Sequence, residues 1–158
     1  MAENCTAISP CNNGSVRQAA RMLGQLYDDA LQPSGLRATQ HNLLYTIHVM
    51  NAPTLREMAG GLVMDLSALG HSLKPLVRQD LVAIATDAND RRAKRVTLTK
   101  AGAKKLQQTT RRWRDAQDRF DMAFGAKRAE ELREILAGLS TSEFRDAFLN
   151  RRPAAKRR

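Results

Sequence analysis

Asp90-Arg91-Arg92-Ala93-Lys94-Arg95-Val96-Thr97-Leu98-Thr99-Lys100-Ala101-Gly102 changes character halfway along. Its first six residues hold four cations, and the next four alternate Val96 and Leu98 with Thr97 and Thr99. Alternation of period two in β-branched residues reads as a half-buried strand. Upstream, Leu81-Val82-Ala83-Ile84-Ala85-Thr86 reads as a second strand. The polar connection from Asp87 to Arg95 then joins the two as a hairpin with a cationic tip.

Working outward toward the N-terminus, Thr54-Leu55-Arg56-Glu57 is a capping box that starts a short helix ending at Gly60-Gly61. Asp65 caps the next helix, whose apolar positions are Leu69, Leu73, Leu76 and Val77, with Pro75 expected to kink its last turns. Two short helices followed by a cationic hairpin form a winged helix-turn-helix, with the second helix sized for a DNA major groove. On either side the period lengthens to that of helices. Val16, Ala19, Ala20, Leu23, Leu26, Tyr27, Ala30 and Leu31 share one stripe up to the turn Gln32-Pro33-Ser34-Gly35. Thr39 is expected to cap a helix carrying Leu43, Leu44, Ile47 and Met50, stopped at Asn51-Ala52-Pro53. After the hairpin come a long helix through Leu106, Trp113 and Phe120, another through Ala129, Leu132 and Leu136, and a last one capped by Ser140-Thr141-Ser142-Glu143.

The expected fold is mainly α with a small β-hairpin wing, and the organisation follows from it. A flexible arm spans 1–14, a helical dimerisation region 15–50 and 100–149, the DNA-binding lobe 51–99 and a disordered basic tail 150–158, all within one compact domain. A formal charge of +10 on 158 residues points to a polyanionic partner. With aromatics at 4 %, single-strand modes that stack bases are disfavoured; charge alone does not choose among DNA, RNA and an anionic membrane surface, and it is the winged helix-turn-helix that makes double-stranded DNA the expected partner. The chain shows neither a long apolar run nor a signal-peptide pattern, so a cytoplasmic protein without a membrane partner is expected. No cofactor is expected. Nucleophile elbow, phosphate-cradling Gly-rich loop and metal quartet are all missing from the sequence, so an enzyme is not expected either.

The hairpin string from Asp90 to Gly102 resembles the wing signature of the MarR family of regulators. Leu36-Arg37-Ala38-Thr39-Gln40 is similar to the start of that family's second helix, and Asp65 to Leu69 with Leu73 to Leu76 is similar to its recognition helix. The resemblance spans about Val16 to Leu139. It implies a homodimer built from the first and last helices, each subunit presenting one recognition helix to half of a palindromic operator. By the same resemblance Asp90 anchors the wing by pairing with Arg92, and Arg92 enters the minor groove, with Arg91, Lys94 and Arg95 beside it. Ser67, His71 and Ser72 face the major groove, and Lys74 and Arg78 approach phosphates. Leu66, Ala68, Gly70 and His71 stand where many relatives carry threonine, serine or arginine. Weight therefore shifts to the wing, to thymine methyl contacts and to DNA shape.

The resemblance also implies a cleft for a small aromatic or phenolic anion, with Tyr27, His41, Tyr45, His48 and Trp113 as lining residues; core packing competes for each of them. His41 and His48 share a helix face but lie two turns, about 10 Å, apart, too far to bind one metal ion by themselves. Cys5 and Cys11 open an alternative, a repressor switched by oxidation of the pair, against the reading of two ordinary thiols in an arm. A nonspecific architectural DNA-binding protein is the further alternative.

Overall fold

A computed structural model describes residues 11–150. The element order is α1 (Asn12–Leu31), a 3-10 turn (Gln32–Ser34), α2 (Ala38–Met50), α3 (Leu55–Gly61), α4 (Leu66–Arg78), β1 (Val82–Thr86), β2 (Lys94–Leu98), α5 (Lys100–Phe124), α6 (Ala126–Leu139) and α7 (Ser142–Asn150). Contacts divide the chain into two compact units, Met1–Ala116 and Gln117–Arg158, with the boundary inside α5. Cys5 and the basic tail 151–158 lie outside the described residues.

The core of the first unit is drawn from every element of the lobe. Leu43, Leu44 and Ile47 of α2, Met58 and Ala59 of α3, and Leu69, Leu73 and Leu76 of α4 meet Leu36, Leu81, Val82, Val96 and Leu106. The hairpin is antiparallel with Val82 opposite Leu98, Ile84 opposite Val96 and Thr86 opposite Lys94. A further bridge links Thr54 to Arg95, and the Val96 N–H donates to the Pro53 carbonyl at 2.9 Å. The residues just before α3 thus act as a short third strand against β2. Proline within Asn51-Ala52-Pro53 conceals this, because only its carbonyl can join a ladder.

Several boundaries differ from those read off the sequence. α1 begins inside the expected arm, since Cys11 Sγ accepts from the Gly14 N–H at 3.4 Å and caps the helix. Thr39 lies inside α2 and does not cap it. Gln40 Oε1 accepts from the Arg37 N–H at 2.9 Å, and Asp28 Oδ1, reaching over from α1, accepts from the Ala38 N–H at 2.7 Å. α7 is capped by Thr141, whose Oγ1 accepts from the Phe144 N–H at 3.1 Å, while the Ser140 hydroxyl donates back to the Leu136 carbonyl. Pro75 does not end α4, which continues to Arg78. Its missing N–H leaves one carbonyl of the helix, that of His71, without its usual donor.

In the second unit Phe120 and Phe124 pack with ring centroids 5.4 Å apart, and the Arg128 guanidinium lies over the Phe124 ring at 4.5 Å. Arg133 approaches Asp121 at 3.7 Å. Among the described residues no helix is long and apolar enough to cross a membrane.

Candidate DNA-binding surface

α4 is organised by its periodicity. Asp65 Oδ1 accepts from the Ala68 N–H at 2.7 Å, starting the helix, and Leu69, Leu73 and Leu76 turn inward with no exposed surface. On the opposite side Ser67, His71, Lys74 and Arg78, at steps of four, three and four, form one exposed stripe. Leu66 and Val77 are exposed beside it. Ser72 departs from the expected position. It is half-buried, donates to the Ala68 carbonyl at 2.9 Å, and lines a cavity of about 520 Å³ against Arg37, Gln40 and Leu43 of the α2 region. A residue one step from His71 is rotated about 100° around the helix, toward the core flank.

The wing is built around a carboxylate that the sequence reading did not single out. Asp87 is buried; its Oδ1 accepts from the Asn89 N–H at 2.7 Å and the Asp90 N–H at 3.0 Å, and its Oδ2 accepts from Arg95 Nε. The Asn89 and Asp90 amides first, and then the Arg95 guanidinium, hold the Asp87 carboxyl below the ordinary range against the opposing effect of burial. Arg95 Nη1 continues to the Ala52 carbonyl at 2.7 Å. Ala52 and Asn51 both adopt left-handed backbone, which turns the chain after α2. Arg95 thus ties the wing to the turn before α3 and is not a free cation at the tip.

Asp90 is bonded to Arg92 through the main chain. Its Oδ1 accepts from the Arg92 backbone N–H at 2.9 Å and shapes the turn, and among the described residues the Arg92 guanidinium has no partner. Arg91, Arg92 and Lys94 are exposed. An aspartate opening a polar hairpin connection, two residues before another turn former, is the signal that could have identified Asp87, since its side chain can accept from amides two and three residues on.

The foot of the wing is locked as well. Thr99 Oγ1 donates to the Asp80 carbonyl at 2.5 Å and accepts from the Gly102 N–H at 2.9 Å. A Cβ on Gly102 would lie 1.9 Å from the Leu81 carbonyl oxygen, so only glycine lets α5 approach the hairpin this closely.

The residues assigned to an effector cleft separate into two groups. His41 is buried, and its Nδ1 lies 2.9 Å from Thr109 Oγ1, with its ring stacked at 6.1 Å on Trp113. The same Thr109 hydroxyl also lies 3.1 Å from the Lys105 and Leu106 carbonyls of its own helix. Burial pushes the His41 pKa down, so the ring is neutral. Tyr45 and His48 are exposed on the same helix, and Tyr27 is half-buried on α1. Among the described residues no cluster of three histidine, cysteine or acidic side chains is placed to hold a metal.

In fold and sequence the chain is similar to the transcriptional regulator MOSR of M. tuberculosis, solved in complex with DNA: identity is 34 %, coverage is 82 % of this chain and 93 % of that one, and the TM-score is 0.73. The chain belongs to the MarR family of transcriptional regulators. As a MarR-family member it is a DNA-binding regulator and not an enzyme. The same fold occurs in a mutant MarR from E. coli, solved with operator DNA, at 24 % identity over 80 % of this chain and 91 % of that one, with a TM-score of 0.72. A curated helix-turn-helix transcriptional regulator of Bacillus subtilis, YwoH, is 27 % identical over 93 residues, 59 % of this chain and 67 % of its own length. No family model matches the sequence.

Proposed function

We propose that this MarR-family protein is a homodimeric cytoplasmic repressor, which holds a palindromic operator with one α4 and one wing per half-site and leaves it when a small aromatic anion binds. The observation that carries the reading is the exposed stripe of Ser67, His71, Lys74 and Arg78 together with exposed Arg91, Arg92 and Lys94 at the wing tip. Such a stripe matches major-groove edges and flanking phosphates, and an arginine at a wing tip matches the negative potential of a narrow minor groove. The dimer is supported by large apolar side chains left exposed on the terminal helices, Met22 and Leu26 of α1 and Phe148 and Leu149 of α7, surfaces that monomers rarely keep.

The effector is assigned to the surroundings of His41 and Trp113, where an indole face adjoins a buried imidazole. Linkage requires the effector to prefer the form that does not fit DNA, with a coupling of about 1 to 3 kcal/mol. The test is a titration of DNA upstream of the protein's own gene against unrelated DNA of equal length at the same salt. Promoter DNA is expected to bind at least about a hundredfold more tightly. Arg92→Ala is expected to weaken that binding by about 1 to 3 kcal/mol and leave the dimer intact. Equal affinity for both DNAs would make this an architectural protein.

A second reading rests on Cys11, which is exposed and caps α1. A peroxide oxidising the Cys5 and Cys11 thiols to one disulfide, itself reduced to alcohol and water, would act directly on the start of that helix. Operator affinity unchanged by peroxide, in wild type as in a protein with serine at both positions, eliminates this switch.

A further inference from the structure

We infer that the open cleft between α3 and the wing receives the sugar-phosphate ridge of the DNA, and that Arg56 is its phosphate contact. The inference rests on the reading of α4 and the wing as the groove-contacting elements. If α4 occupies a major groove and the wing the neighbouring minor groove, one strand of phosphates separates the two grooves, and whatever lies between helix and wing must straddle it. The surface between them is a cleft of about 720 Å³ lined by Thr54, Arg56, Glu57, Leu66, Asp90, Arg92 and Lys94, among others.

The walls are fixed to each other. The Thr54–Arg95 bridge and the Val96 to Pro53 hydrogen bond, both backbone contacts, and the reach of the Arg95 side chain to the Ala52 carbonyl join the start of α3 to the base of the wing. The two carboxylates at the cleft are both engaged. Glu57 Oε2 accepts from the Thr54 N–H at 2.7 Å and from its hydroxyl at 2.9 Å, and Asp90 Oδ1 accepts from the Arg92 N–H. The cations are in the opposite situation: among the described residues the side chains of Arg56, Arg92 and Lys94 have no hydrogen-bond or ion-pair partner.

Arg56 carries an independent mark. It is the second residue of α3, where unsatisfied N–H groups make a positive charge unfavourable, and it gains no compensating contact among the described residues. A charge held where it weakens its own helix is explained by an anion that arrives from outside. A phosphodiester meets this requirement, and the guanidinium fork matches its two free oxygens.

The experiment is a salt series of promoter and unrelated DNA binding for the full chain, Arg56→Gln and Arg56→Lys, with Arg92→Ala alongside and a thermal melt of each. Arg56→Gln is expected to weaken binding to both DNAs by the same factor, about three- to tenfold, and to flatten the slope of log affinity against log salt by about 0.9, the loss of one phosphate contact. Arg56→Lys is expected to restore the slope, and Arg56→Gln is expected to melt no lower than wild type. A wild-type slope in Arg56→Gln overturns the inference while Arg92→Ala still reports on the wing. A lower melting temperature with restored binding on refolding at lower temperature overturns it in favour of a structural role. Failure of wild type to prefer the promoter overturns the parent reading instead.

Discussion

α4 is fixed by Leu69, Leu73 and Leu76, three side chains with no exposed surface, whereas the wing tip is fixed by one buried carboxylate, that of Asp87. The helix needs only an apolar stripe to hold it, so the opposite face is free to vary with the operator. The wing cannot be held in that way: five residues per strand offer two buried apolar side chains, Val82 and Val96, and β1 is otherwise exposed. Polar closure substitutes for core, with Asn89, Asp90 and Arg95 converging on Asp87 and Arg95 extending to Ala52. Non-directional burial tolerates small shifts of the helix, while hydrogen bonds set the wing's geometry residue by residue. The two elements proposed to contact DNA are therefore expected to fail differently.

The largest effect is expected at the helix. Leu73→Ala removes a side chain without exposed surface and leaves a cavity, so a loss of about 3 kcal/mol in unfolding free energy is expected by urea titration. Because the same core holds α2, α3 and the hairpin, binding should fall only in proportion to the unfolded fraction. A Leu73→Ala protein that stays folded but does not bind DNA would break the claim that burial merely holds α4 in place.

Gly102→Ala probes the join between hairpin and α5. The added methyl meets the Leu81 carbonyl oxygen, and backbone must shift to admit it, so a loss of about 2 kcal/mol is expected. The wing should also be displaced, so weaker DNA binding should exceed what the stability loss explains. An unaltered melt would show that the close approach at Leu81 is not required.

Asp87→Asn tests the wing's anchor. Global stability should change less than in either variant above, whereas hydrogen exchange at Asn89, Asp90 and Ala93 should accelerate and operator affinity should fall. The wild-type protein offers the same test through pH. Because the folded Asp87 carboxyl sits below its ordinary range, its contribution is fully present above the unfolded value and disappears as pH falls through the depressed folded value. Wing protection should therefore persist at neutral pH and be lost only under acid conditions, and Asp87→Asn should remove that acid step.

What could be read from the sequence divides along the same line. Leu69, Leu73 and Leu76 announce their buried face by spacing, and the Thr54–Glu57 box announces its helix; both are local patterns that survive without knowledge of the fold. The cationic string from Asp90 also identified the hairpin. Which of its residues are structural was not legible, because Arg95 becomes an anchor only when the turn at Ala52, 43 positions earlier, comes alongside. Asp28 capping α2 from α1 and Thr109 bonding the buried His41 ring were hidden for the same reason, each depending on a contact between separate helices. Ser67 and Ser72 look alike when serines are read by type, and only their angle around α4 separates them.

That difference in angle supplies the smallest effect. Ser67 stands on the exposed stripe with His71, Lys74 and Arg78, while the Ser72 hydroxyl is turned back onto the Ala68 carbonyl and faces the α2 flank. A hydroxyl that bonds its own helix four residues back contributes little to stability, since alanine is the better helix former. Ser72→Ala is accordingly expected to change stability by less than about 0.5 kcal/mol and operator affinity by less than about twofold. Ser67→Ala should be equally neutral for stability but weaken binding to the operator, by about 1 kcal/mol if the hydroxyl meets a base edge or a phosphate. Comparing the two serines in one binding assay holds composition and helix constant and varies only the angle around α4. Equal losses would mean that α4 enters the groove rotated from the stripe drawn here, with Ser72 and its cavity on the DNA side.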